Sequence, residues 1–311
     1  MSEHRAVLKY LLIIAIILGT ATAVVVAQSS APAGKPFGSP EAAVDAFVAA
    51  AENSDLDALT AILGPGGGDL VRTGEPVSDR EILTEFAKLA REKRAITPDR
   101  RNRNLALLSV GPEDWPFPIP IVKRGTNWFF DTAAGRRELL YRRIGRNELD
   151  TIEICRGYVD AQQQYALTKH DDSRVNQYAQ RIISTPGKHD GLAWKKPDGK
   201  WGGPIGEAVA LELDKSYKEV RTPFHGYYFK ILTKQGKAAP LGDLDYVQEG
   251  AMIGGFAILA YPSTYQVTGV KSFIVSQDGV VYEKDLGANT ADVADKITSF
   301  DPDLTWKPVD Q

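Results

Sequence analysis

One cysteine, two methionines and four histidines are few reactive or metal-loving side chains for 311 residues. With Cys155 alone, no intramolecular disulfide can form. Cys155 stands at helical spacing with Leu149, Ile152 and Val159, the setting of a small buried apolar residue rather than a reactive thiol. An excess of one charge is missing too: 37 Lys and Arg oppose 40 Asp and Glu, for a net charge of −3. No basic field argues for nucleic acid, and no polyacidic tail argues for a basic partner. There is no His-Glu-x-x-His and no paired-cysteine spacing, so a zinc site would need residues from distant parts of the chain. Gly-x-Ser-x-Gly and Ser-x-x-Lys are absent, which removes the common serine-hydrolase signatures. No cofactor is expected.

What is there begins with an export signal. His4, Arg5 and Lys9 precede the apolar run Leu11–Leu18, and Val25-Val26-Ala27 ahead of Gln28 offers small or modest residues for cleavage. The 18 residues from Tyr10 to Ala27 also reach the lower limit for an uncleaved membrane tether. Either reading places the remainder outside the cytoplasm, periplasmic or secreted. The apolar run is not followed by a cysteine, so a lipoprotein anchor is not expected.

Four regions follow from patterning: a signal or anchor over 1–27, a Ser/Ala/Pro/Gly linker over 28–38, and domains over 39–145 and 146–311. In the first domain Ser39 can cap a helix with Pro40 at its first position, and Val44, Phe47 and Val48 give its apolar stripe. A second helix follows Asn53-Ser54 and ends at Gly64. The run Gly64-Pro65-Gly66-Gly67-Gly68 lacks the Gly-Lys-Ser/Thr ending of a phosphate loop and reads as a flexible loop. Ser78 is expected to cap a third helix carrying Ile82, Leu83, Phe86 and Leu89. Strands are expected over Asn104–Val110, Ile119–Arg124 and Asn127–Asp131, with Gly125-Thr126 turning the last pair. Helices followed by a curved antiparallel sheet resemble the nuclear-transport-factor-2-like fold. That resemblance implies a small-ligand pocket lined from Phe47, Phe86 and Trp128.

Ala133–Leu167 is helical in pattern, with a break expected near Gly145. Its basic start, Arg136 to Arg143, is interleaved with Glu138 and followed by Glu148, Asp150 and Glu153, which predicts a solvated, salt-bridged face. Arg100-Arg101-Asn102-Arg103 reads as a solvated loop, as does the whole of Ser184–Trp194. A short helix is expected near Pro204. Strand-like runs follow at His225–Thr233, Ala251–Tyr261, Thr268–Val275 and Gly279–Lys284, with Gln277-Asp278-Gly279 as the turn of a hairpin. The expected class is α+β, a long helix packed on a four-stranded antiparallel sheet in the C-terminal domain.

The segments Pro186-Gly187-Lys188-His189-Asp190-Gly191-Leu192, His225 to Leu232, Met252-Ile253-Gly254-Gly255-Phe256-Ala257 and Phe273 to Gly287 resemble the bacterial domain-of-unknown-function 2950 family. The resemblance covers most of the chain after the signal and implies an exported protein of a family with no established activity. A looser likeness links the helix through Ala161-Gln162-Gln163-Gln164-Tyr165 and the strands after Gly226 to the globular part of type IV pilins and pseudopilins. The apolar half of the pilin helix, which packs subunits into a filament, is not joined to this domain. Arg136, Arg137, Arg142, Arg143 and Arg146 stand in its place, so the likeness implies a soluble pilin-like module.

Two sets of residues carry the binding and catalytic expectations. His189 and Asp190 with Lys188, and His225 ahead of its strand, could supply a general base or metal ligand, or could simply hold a turn and start a strand. Asp243, Asp245 and Glu249 lack the regular spacing of a calcium loop. Trp194, Trp201, Tyr217 and Tyr261 lie in or near loops, where aromatics favour an envelope protein or a glycan; the competing reading is a satellite core beneath a long loop. The leading expectation is a non-enzymatic binding or assembly module of the cell envelope. The alternatives are a periplasmic hydrolase or metal-dependent enzyme using His189, Asp190 and His225, and ligand binding in the N-terminal domain.

Overall fold

The computed structural model describes residues 34–72, 76–207, 209–211 and 222–310, apart from the side chains of Pro76 and Ser78. The signal segment, most of the linker and Tyr217 lie outside the described residues. The chain divides into two units, residues 1–142 and 143–311. The class is α+β, with open antiparallel sheets.

In the first unit, helix α1 (Pro40–Glu52) starts as its sequence dictates: Ser39 Oγ accepts from Ala42 N at 3.1 Å, with Pro40 in the first turn. Helix α2 (Leu56–Leu63) is capped by Asp55, whose carboxylate accepts from Ala58 N, and closes at Gly64 in a positive-φ conformation. Helix α3 (Pro76–Glu92) begins before Ser78 rather than at it, so the expected cap sits inside the helix. The sheet consists of β1 (Arg94–Pro98), β2 (Leu105–Val110), β3 (Trp115–Pro116), β4 (Ile121–Arg124) and β5 (Asn127–Phe130), in the order β1-β2-β4-β5 with β3 beside β2. Strand β1 was not expected, because four of its five residues are exposed and its sequence shows no apolar alternation. It pairs with β2 across the Arg100–Arg103 loop, where the Asp99 carboxylate accepts from Arg101 N and Asn102 N. Along β2, Ala106, Leu108 and Val110 point inward. They meet an aromatic cluster in which Phe47 lies 5.1–5.5 Å from Phe86, Phe117 and Phe130.

Helix α4 (Thr132–Tyr165) is unbroken at Gly145. A lone glycine costs a helix interior about 1 kcal/mol, which tertiary packing overrides. The Gly64–Gly68 loop is tied down: Arg136 donates to the Asp69 carboxylate at 2.8 Å and to Gly66 O. The same guanidinium holds the Asp69 carboxyl below its usual range. Part of the expected salt-bridged face exists, as Arg142–Glu138 and Arg156–Glu153 pairs.

The second unit is built on one sheet of β9 (Tyr227–Leu232), β14 (Ala257–Pro262), β15 (Lys271–Ser276), β16 (Tyr282–Asp285) and β17 (Lys307–Pro308), all antiparallel and in the order β17-β16-β15-β14-β9. Strand β14 is buried along its whole length, as a central strand should be. The expected strand Ala251–Tyr261 is two pieces, β13 (Ala251–Met252) and β14, divided at Gly254-Gly255. There Gly255 adopts φ +140°, and a Cβ on Gly254 would stand 2.7 Å from Asp245 O. Asp278-Gly279 turns the chain between β15 and β16, with Gly279 at φ +77° and Asp278 Oδ1 accepting from Ser276 Oγ and Val280 N.

Ile152, Cys155, Tyr158, Val159 and Tyr165 of α4 share one core with Tyr227, Phe256, Leu259, Phe273 and Val275. The Cys155 thiol is fully buried and pushed up to about 12, so it is inert packing. Ser184–Trp194 is not all loop. Gly191–Lys195 (β7) pairs in parallel with Arg181–Ile183 (β6) and antiparallel with Trp201–Gly202 (β8). Small pairs β10 (Lys234–Gln235) with β11 (Leu244–Asp245), and β12 (Val247–Gln248) with β13, complete the sheets. Helix α5 (Thr290–Lys296) lies beyond the last expected strand. Past Pro204 the backbone is helical at residues 207 and 209–211, and the rest falls outside the described residues. Among the described residues no helix is long and apolar enough to cross a membrane.

Candidate ligand-binding cleft

One face of α4 opens a cleft in the second unit. Asp150, Ile154, Gly157, Tyr158 and Ala161 recur every three or four residues and therefore share that face. Gly157 and Ala161 are the small members. A Cβ at Gly157 would meet no atom of the described residues within 4 Å. Opposite stand Phe229 of β9, Ile258 of β14 and Ile182 of β6, with Pro204–Gly206 at one edge. The cleft has a volume of about 460 Å³ and a mainly apolar lining. That size lies within the range of small-molecule sites, roughly 300–1,000 Å³.

Among the described lining residues the polar ones are Asp150, Glu153 and His225. His225 sits at φ +48° and Gly226 at φ +78°. Phe224 and Tyr227 exchange both backbone hydrogen bonds across them, at 2.9 Å each. Two successive positive-φ residues in a two-residue connection are the signature of a type I′ turn. The turn presents the imidazole to α4, where His225 Nδ1 lies 2.9 Å from Asp150 Oδ2. The α4 turn that carries Asp150 is itself held. Asn147 Nδ2 donates to Thr268 O, and the Glu148 carboxylate accepts from both Val270 N and Lys271 N. Glu148, expected on a solvated face, is thus a structural anchor.

The other histidines belong to a separate group. His189 Nδ1 lies 2.7 Å from Asp171 Oδ1, and His189 N donates to Asp171 Oδ2 at 2.8 Å. These two contacts, the backbone one foremost, hold the Asp171 carboxyl below its usual range. Asp190 faces away from this pairing: its carboxylate accepts from Thr185 N and Thr185 Oγ1 and lies 3.6 Å from Arg181. His170 stacks on Tyr165 at 3.8 Å between centroids, and Trp194 meets His189 edge to face at 4.9 Å. His189 therefore has its own carboxylate, and the cleft that His225 lines is not lined by His189 or Asp190.

Trp194 is half-buried in this group. Trp201 and Tyr261 are only 7% and 4% exposed. Trp201 packs with Ala193 and Ala210 in a small satellite core, and Tyr261 lies in the central strand β14. Among the described residues no three His, Cys, Asp or Glu side chains come together as metal ligands, Asp243, Asp245 and Glu249 included.

The first unit holds a smaller apolar cavity, about 190 Å³, lined by Phe47, Phe86, Trp115 and Phe117. Trp128 does not line it; its backbone instead bridges to Phe37. The volume falls below the usual small-molecule range, which leaves the cleft of the second unit as the better candidate.

A family model described as a protein of unknown function, DUF2950, matches residues 34–309. The chain belongs to that family. No curated protein and no solved structure matches it. In this DUF2950 chain the matched span contains every residue of the cleft and both histidine–carboxylate pairs. The sequence pointed to His225 but not to Asp150, 75 residues away. A signal for the cleft was present in Gly157 and Ala161, small residues one helical turn apart on an otherwise large-residue face.

Proposed function

We propose that this DUF2950 chain is an exported cell-envelope protein that binds, and does not transform, an apolar ligand in the cleft of its second unit. The observation that carries the reading is the cleft of about 460 Å³, apolar in its walls with a few polar groups on one side. No serine, cysteine or lysine stands among its described lining residues, so none of those residues offers a bound molecule a side-chain nucleophile of those kinds. The competing enzyme reading needs His189, Asp190 and His225 to act together. Asp171, Thr185 and Asp150 hold them in three separate hydrogen-bonded sets. Export rests on His4, Arg5 and Lys9 ahead of the apolar run Leu11–Leu18. The pilin-like reading of the second unit rests on the half of α4 that packs against an antiparallel sheet.

The test is titration of the full chain with the uncharged apolar dye N-phenyl-1-naphthylamine. Saturable binding at one site per chain is the expected result; a linear, non-saturating signal overturns the binding reading. Fractionation of cells producing the untagged chain tests export separately, and recovery in the cytoplasm alone overturns that part.

A further inference from the structure

We infer that the occupant of the cleft is an uncharged apolar molecule carrying a hydroxyl group, whose O–H donates to His225 Nε2. The inference rests on the binding reading above and adds the chemical class of the ligand.

Tautomer chemistry selects the group. A neutral imidazole has one donor and one acceptor nitrogen, and an ionised carboxylate only accepts. In the neutral ring, with His225 Nδ1 lying 2.9 Å from Asp150 Oδ2, the hydrogen belongs on Nδ1. Nε2 is then an acceptor, and among the described residues no group bonds to it. A ligand satisfies it by bringing a donor.

Charge excludes the commonest apolar alternative. Asp150 and Glu153 line the cleft, and no Lys or Arg does so among the described lining residues. A fatty-acid carboxylate would meet like charge there with no cationic partner among the described lining residues, whereas an alcohol carries no charge to repel. Ile154, Phe229 and Ile258 supply the apolar wall that a hydrocarbon body needs.

The placement of His225 is also costly and rigid. A non-glycine residue at φ +48° pays for its conformation, and such outliers gather at ligand sites. The two Phe224–Tyr227 backbone bonds hold the turn, and the Asp150 contact orients the ring. Asp150 is in this scheme a positioning residue: it sets the tautomer and orientation of the ring that meets the ligand.

The experiment is displacement of N-phenyl-1-naphthylamine from the full chain by 1-decanol, 1-methoxynonane and decanoate. The ether matches the alcohol in size but has no donor, and decanoate adds the charge. Decanol is expected to displace the dye at roughly three- to tenfold lower concentration than the ether, the worth of one hydrogen bond. Decanoate is expected to be weaker than decanol. His225→Gly removes the ring while relieving the positive-φ strain, so it tests the contact without a backbone penalty; it should bring alcohol and ether to parity. In the unaltered chain, decanol should shift the His225 Nε2 resonance and the ether should not. Equal displacement by alcohol and ether, tightest displacement by decanoate, a preference that survives His225→Gly, or no displacement at all by a chain that binds the dye would each overturn the inference. Failure of the dye itself to bind would instead overturn the binding reading beneath it.

Discussion

The Gln162 side chain pairs with the backbone of Ala179 in both directions: Nε2 donates to Ala179 O and Oε1 accepts from Ala179 N, each at 2.8 Å. Nε2 also donates to the hydroxyl of Tyr158, one turn earlier on α4. Gln162 is fully buried, so a helix side chain takes the place that a neighbouring strand would occupy beside residue 179.

Gln162→Leu keeps the volume and strands one backbone donor and one acceptor at Ala179. Each orphaned buried group costs about 1–3 kcal/mol. Chemical denaturation should show a loss of about 2–4 kcal/mol. A loss under 1 kcal/mol would mean that the pairing is replaced by water or by a shift of the segment.

Gly157→Leu should abolish dye binding without destabilising the chain. Leucine is the better helix former by roughly 0.8 kcal/mol, and a Cβ at Gly157 meets no atom of the described residues within 4 Å. Retained affinity with unchanged thermal stability would show that the dye binds elsewhere.

Gly226 lies at φ +78°, and a Cβ there would stand 2.6 Å from Asn147 Nδ2 and 3.0 Å from Thr268 Cβ. Gly226→Ala therefore adds backbone strain of about 1–2 kcal/mol to a clash with the Asn147–Thr268 bond. Thermal unfolding should come at lower temperature than in the parent, and an unchanged midpoint would contradict the turn geometry.

Ser272 Oγ is buried and lacks a hydrogen-bond partner among the described residues. Removing an unsatisfied hydroxyl relieves a desolvation cost, so Ser272→Ala should leave stability equal or raise it by up to about 1 kcal/mol. A clear loss would reveal a partner for the hydroxyl.

The Asp171 carboxyl is lowered in the folded state by the backbone and side chain of His189. A depressed acid stabilises the fold above its unfolded value, near 3.9, and that contribution disappears as pH falls through the lower folded value. Asp171→Asn should therefore flatten the acid limb of the stability profile below about pH 4. Carboxyl resonances followed through the titration should show Asp171 among the last carboxyls to protonate, and an ordinary midpoint would remove the proposed contact.

Local chemistry was legible wherever the deciding contact is short in sequence. Ser39 and Pro40 began α1, Gly64 ended α2, and Asp278-Gly279 turned β15 into β16, all through bonds within a few residues. Misreadings arose where local pattern and tertiary pairing disagree. Strand β1 shows no inward alternation, yet β2 supplies a full ladder for it. β7 lies in a stretch that looked like a loop, because its pairing with β6 and β8 gives Gly191–Lys195 partners that its turn-rich flanks do not suggest.

By itself, the sequence determined the α+β class, the long helix, the order of the main C-terminal strands and the absence of common catalytic motifs. These follow from periodicity, capping and spacing, which act over a few residues. Only the tertiary structure decided that Asp150 meets His225, that His189 turns to Asp171, and that Gly157 lines a cleft. Those outcomes depend on which surfaces the core brings together. A hydrogen bond between residues 75 apart leaves no mark on the neighbours of either one.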